Sequence, residues 1–184
     1  MKIPYQVVFS HRRSLGLEIR EGRLTVRAPL GASPAEIEKL IQDKEAWILS
    51  HLAKSQEKAR AAAEIPKLTS AELHALADEA LRYIPERVRH YAPLLGVLPR
   101  RITIRNQRTR WGSCSSGGNL NFNCLLMLAP RETLDAVVVH ELCHMKEMNH
   151  SPRFYQYVYR VFPDYDRHHR WLKEHGAELL ARLP

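Results

Sequence analysis

His140-Glu141-Leu142-Cys143-His144 sets two imidazoles four residues apart with a carboxylate beside the first. On an α-helix, four residues make slightly more than one turn, so both rings lie on one face and can grip one metal ion. Glu141 then falls near enough to serve a water bound to that ion. Five residues separate His150 from His144, and a chain reversal would fold it back toward the other two. Three neutral imidazoles leave a fourth position open for water, which a catalytic zinc site needs and a structural one lacks. The expected metal ligands are therefore His140, His144 and His150, with zinc as the ion and Glu141 as the catalytic residue. If His150 faces away, His168, His169 or His175 is the alternative third ligand.

The flanking residues predict how this set is held. Pro130 suits a helix start, and Leu134, Val137, Val138 and Leu142 make the next turns apolar, as in a buried helix. Ser151-Pro152 reads as the cap and first residue of a new helix, so the first must end soon after His144. Asn149 can take the left-handed conformation that ends helices. Cys143 packs inward as a small apolar residue. Three cysteines, Cys114, Cys124 and Cys143, lack CxxC spacing, which argues against a disulfide framework or a cysteine zinc site.

Upstream, Tyr5 to Phe9, Leu15 to Ile19 and Leu24 to Ala28 alternate as short strands, with a turn at Glu21-Gly22-Arg23. Ser33-Pro34-Ala35-Glu36 is a capping box opening a helix whose apolar positions run through Ile37, Leu40, Ile41, Trp47, Ile48 and Leu52. Its charged, alanine-rich end, Lys54 to Glu64, leads to a linker at Ile65-Pro66-Lys67. The expected division is a β-strand and helix module over 1–66 and a catalytic domain over 67–184. Thr69-Ser70-Ala71-Glu72 caps a second helix, which Pro85 should kink. Arg101 to Arg105 and Asn119 to Asn123 read as strands; in the latter Leu120 and Phe122 face one way and Asn119, Asn121 and Asn123 the other. Helices from Pro152 to about Phe162 and from about Tyr165 to Arg182 complete the chain, the last capped by Asp164.

No apolar run reaches the length of a membrane span, and Met1-Lys2-Ile3-Pro4 reads as the start of a folded cytoplasmic protein. The net charge of +8 concentrates in Arg100, Arg101, Arg105, Arg108 and Arg110, which permits contact with acidic substrates or nucleic acid but specifies neither.

Arg108-Thr109-Arg110-Trp111-Gly112-Ser113-Cys114, Asn119-Leu120-Asn121-Phe122-Asn123, Val138 to His144 and Asn149-His150-Ser151 together resemble the YgjP-like metal-dependent hydrolases, which are similar to the SprT-like and WLM proteases. The likeness extends to Val26-Arg27-Ala28-Pro29 and to Trp171-Leu172-Lys173-Glu174-His175. It implies an α+β fold with a zincin-like core: a small sheet, an active-site helix, and an edge strand above the cleft. It implies His140, His144 and His150 as zinc ligands and Glu141 as base, acting on a peptide or protein substrate. The histidine spacing is also similar to that of metzincins, but Glu147 stands at their turn glycine and no Met-turn is evident. Arg153, Tyr155 and Tyr157 are candidates to stabilise the oxyanion, and spacing does not choose among them. The competing readings are a zinc hydrolase of nucleotides or phosphoesters, and a nucleic-acid-associated module with structural zinc.

Overall fold

A computed structural model describes residues 3–184 except Glu21. Met1, Lys2 and Glu21, which belong to the expected N-terminal start and first turn, lie outside the described residues. The chain divides into two compact units, Met1–Ile65 and Pro66–Pro184.

In the first unit, β1 (Tyr5–Ser10), β2 (Gly16–Arg20) and β3 (Arg23–Pro29) form a sheet in the order β1-β3-β2. β1 runs parallel to β3, and β2 antiparallel to it. Alternation along β3 buries Leu24, Val26 and Ala28. Two helices cover them: α1 (Pro34–Asp43) contributes Ile37 and Ile41, and α2 (Glu45–Glu64) contributes Ile48. The Ser33–Glu36 capping box is formed in both directions. The single helix expected here is instead broken at Lys44, whose φ of −114° and ψ of 14° leave the helical region. Neither glycine nor proline marks that break, so residue types carried no signal of it. Trp47, expected in the core, is 42% exposed and stacks on His51 at 4.1 Å between ring centroids.

The second unit is entered through α3 (Ser70–Leu95), opened by the Thr69–Glu72 capping box and closed by Gly96 at φ +61°, a left-handed cap that glycine adopts without a Cβ penalty. The helix continues through Pro85 and Pro93. Next come β4 (Arg101–Arg105), β5 (Gly112–Cys114) and β6 (Asn119–Asn123), in the order β4-β6-β5. β4 is parallel to β6, while β5 returns antiparallel and forms an edge. A 3-10 turn over Cys124–Leu128 leads to α4 (Arg131–Cys143), followed by α5 (Pro152–Val161) and α6 (Tyr165–Ala181).

α4 is the central element. Leu134, Val138 and Leu142 are wholly buried with Ile84 and Val88 of α3, Leu120 and Phe122 of β6, and Phe154 and Val158 of α5. The helix is covered on nearly every side, so its polar residues must find partners inside. Asp135 does so: both its oxygens accept from Arg87, at 2.7 and 2.8 Å, and the Tyr91 hydroxyl donates to it at 3.1 Å. This is an α+β layout of small sheet, motif-bearing helix and neighbouring edge strand, as the zincin resemblance implied.

Alternation along β6 puts Asn119, Asn121 and Asn123 on the face opposite Leu120 and Phe122, and of the three Asn123 is completely buried. Its Nδ2 donates to the carbonyls of Gln107 and Arg110, and its Oδ1 accepts from the Leu125 N–H. Asn123 thus pins the arginine-rich loop to the 3-10 turn, and its own N–H donates to the Trp111 carbonyl at 2.8 Å.

Candidate metal centre

The last turn of α4 carries His140 and Glu141, and His144 follows as its C-cap. The rings of His140 and His144 meet edge to face, 4.8 Å between centroids. The chain then reverses. Lys146 and Glu147 donate backbone bonds to the Cys143 carbonyl, the Asn149 side chain accepts from the Ser151 N–H at 3.0 Å, and Ser151 caps α5 through the Phe154 N–H. Asn149 therefore acts here through its side chain. The reversal delivers His150 to the other two imidazoles, and ligand nitrogens of all three lie within 4.8 Å of one another. Among the described residues, no other group of His, Cys, Asp or Glu converges in this way; His168, His169 and His175 stand outside it. Cys143 is buried in the core, and burial pushes its thiol up to about 12.

Phe154 is the floor of the cluster. It is fully buried, and its ring lies 4.9, 4.7 and 5.0 Å from the rings of His140, His144 and His150. Its place one turn into α5 follows from the Ser151-Pro152 start.

Hydrogen bonding shows what the nitrogens offer. His144 Nδ1 faces the Glu147 carbonyl at 3.1 Å, an acceptor only, so Nδ1 carries the proton and Nε2 a lone pair. That Nε2 lies 3.1 Å from Nε2 of His140, which lies 3.1 Å from Nε2 of His150. A neutral ring has one N–H, so His140 can satisfy at most one of these contacts as donor. A cation satisfies all of them together. Nitrogens about 2.0–2.1 Å from a tetrahedral zinc lie roughly 3.3 Å apart, close to the spacings seen. The donor set therefore fits a divalent metal of the zinc type. Burial, then the neighbouring His144, His150 and His169, brings His140 down to about 3, so the ring is neutral and its lone pair available. His144 is lowered too, mainly by burial.

On its outer side His140 Nδ1 meets the Tyr165 hydroxyl of α6 at 2.8 Å. Tyr165 is buried, and its ring stacks on that of His169. Nothing in the local spacing pointed to Tyr165, because it lies twenty-five residues from its partner.

Glu141 is 6% exposed and packs against Gly112 of β5. A Cβ at Gly112 would come within 2.6 Å of its Oε1, so only glycine leaves the carboxylate where it is. Burial pushes the carboxyl up to about 8 against the pull of the Arg110 guanidinium.

Of the three oxyanion candidates, Tyr155 is the one beside the cluster, 6.4 Å from the His150 ring between centroids. Arg153 is exposed, and the Tyr157 ring lies under the Arg160 guanidinium. Trp111 is half-buried and packs against Gly176 of α6, where an added Cβ would stand 3.1 Å from the indole.

The family described as YgjP-like, metallopeptidase domain matches residues 13–76 and 67–175. The chain belongs to the YgjP-like family. It is accordingly a metallohydrolase of peptidase type, and this family membership implies a bound metal ion and a peptide substrate. Two solved structures are similar over 50% of the chain: the metallopeptidase zymogen of Pyrococcus abyssi abylysin, covered over 93% of its length, and that of Methanocaldococcus jannaschii jannalysin, covered over 96%. Each is 21% identical, with a TM-score of 0.45. Comparison with the curated proteins gives no match. No helix among the described residues is long and apolar enough to cross a membrane.

Proposed function

We propose that this YgjP-like protein is a zinc-dependent peptidase in which His140, His144 and His150 hold the ion and Glu141 is the general base. The convergence of three Nε2 atoms at the end of α4, with a buried carboxylate on the next residue, carries this reading. Residues 67–184 are the catalytic domain in this reading, and 1–66 an accessory module.

A zinc ion held by neutral imidazoles supplies Lewis acidity, bringing the pKa of a ligated water toward neutrality and polarising a carbonyl oxygen. Glu141 takes the proton from the attacking water and delivers it to the departing amine, so the carboxylate is regenerated in each cycle. Its low exposure keeps bulk water from competing for that proton. Tyr155, beside His150, offers a hydroxyl to the developing oxyanion. Among the described residues β5 pairs on one side only, so its other edge beside Glu141 can receive an extended peptide by backbone hydrogen bonds.

Two variants test the assignment. Glu141→Gln should retain one zinc per chain by elemental analysis and lose peptide hydrolysis by at least 10²-fold. His144→Ala should lose the metal. A Glu141→Gln protein that cleaves peptides at the parent rate, or a His144→Ala protein with full zinc content, would remove the residue concerned from the mechanism.

A further inference from the structure

α4 and α6 enclose a pocket of about 160 Å³ that borders His140 and Glu141. Helical periodicity builds it. Thr133, Ala136, Val137, His140 and Glu141 recur at the three-and-four spacing of one face of α4. Tyr165, His168, His169 and Leu172 recur likewise on α6. Trp111 and Gly112 close the third side.

Resting on the peptidase reading, we propose that this pocket receives the side chain of the substrate residue bordering the scissile bond, and that it selects a neutral apolar side chain of leucine to phenylalanine size. Three observations support this. First, the walls hold no lysine, arginine or aspartate, and their one carboxylate, Glu141, is committed to the reaction. Second, Thr133 Oγ1 and His168 Nδ1 pair with each other at 3.2 Å, so these groups are already matched. A charged substrate side chain would surrender its hydration there without a countercharge. Third, the indole of Trp111 packs over Gly176 of α6, where an added Cβ would stand 3.1 Å from it, so α6 backs this wall. The volume sets the size: an apolar cavity of about 150 Å³ accommodates benzene. The pocket adjoins the reacting groups, so a filled pocket also positions the peptide carbonyl beside Glu141.

The test is cleavage profiling of the zinc-loaded full chain with a peptide library, read by mass spectrometry. Leucine, methionine or phenylalanine should exceed aspartate, glutamate, lysine and arginine at least tenfold at one position next to the cleaved bond. Ala136→Leu, which fills the pocket, should move that position toward alanine and valine by roughly tenfold or more. Leu172→Ala, which widens it, should move the position toward tyrosine and tryptophan. If Ala136→Leu does not fold, Leu172→Ala decides alone. Cleavage by the parent without selection at either flanking position, or an unchanged profile in a folded, zinc-loaded variant, overturns the pocket assignment and leaves the peptidase reading standing. Absence of any peptide cleavage by the loaded parent overturns both.

Discussion

The Tyr165 hydroxyl lies 2.8 Å from Nδ1 of His140, the nitrogen on the far side of the ring from the three-histidine cluster. A partner at that position orients the ring and decides which nitrogen carries the proton. With Nδ1–H donating to the phenol oxygen, Nε2 presents its lone pair toward His144 and His150. Tyr165→Phe keeps the packed ring and removes only this contact. It should weaken zinc binding about 10–100-fold in chelator competition, with the helical circular-dichroism signal unchanged. Equal zinc affinity in the two proteins would show that the hydroxyl does not position His140.

Gly112 faces Glu141 so closely that a methyl group there would meet both Oε1, at 2.6 Å, and Cγ, at 2.7 Å. Gly112→Ala must displace the carboxylate or the edge strand. The expected result is a fall in kcat of about 10²-fold, the order associated with a displacement of about 1 Å, while zinc content stays at the parent level. Steady-state kinetics with elemental analysis checks both parts.

Asp135 anchors the middle of α4 through the paired bonds from Arg87. Asp135→Ala leaves that guanidinium without its partner beside the core. Removing one member of a buried pair costs about 3–5 kcal/mol; Arg87 keeps 26% side-chain exposure, so a loss of about 2–3 kcal/mol is expected. Urea unfolding of parent and variant, followed through α-helical signal, measures it. A loss below about 1 kcal/mol would show that the pair contributes little.

Glu72 supplies the pH-dependent prediction. The Thr69 backbone N–H and then its hydroxyl, both bonded to the carboxylate, hold Glu72 below its ordinary value of 4.5. A depressed folded-state pKa means that the ionised form is favoured by folding. Its contribution is complete above about pH 4.5 and fades as pH falls through the folded value. The stability advantage of the parent over Glu72→Gln should therefore be larger at pH 7 than at pH 3. Urea titrations at the two pH values test the sign, and an advantage that grows on acidification would contradict it.

Much of this site could be read locally. The helical period alone puts His140 and His144 on one face, and Ser151-Pro152 announces the new helix whose start limits where His150 can go. Both capping boxes and five of the six described strands are written in short-range patterns of the same kind, while the three-residue β5 is too short to show one. Such patterns failed where no residue type signals the event, as at Lys44, where the first helix breaks. They also gave no sign that Asn123, a polar residue at a strand end, is completely buried, where its side chain satisfies three backbone groups.

The amino-acid sequence by itself determined the chemistry on offer, three imidazoles and a carboxylate, because residue identity and helical spacing are properties of a short stretch of chain. Tertiary structure decided what surrounds them: Tyr165 behind His140, Gly112 against Glu141, Phe154 beneath the three rings, and Trp111 on Gly176 at the pocket wall. Those pairings join elements remote in the chain. They follow from how α4, α5, α6 and the sheet bury their apolar faces together, and no local period encodes that packing.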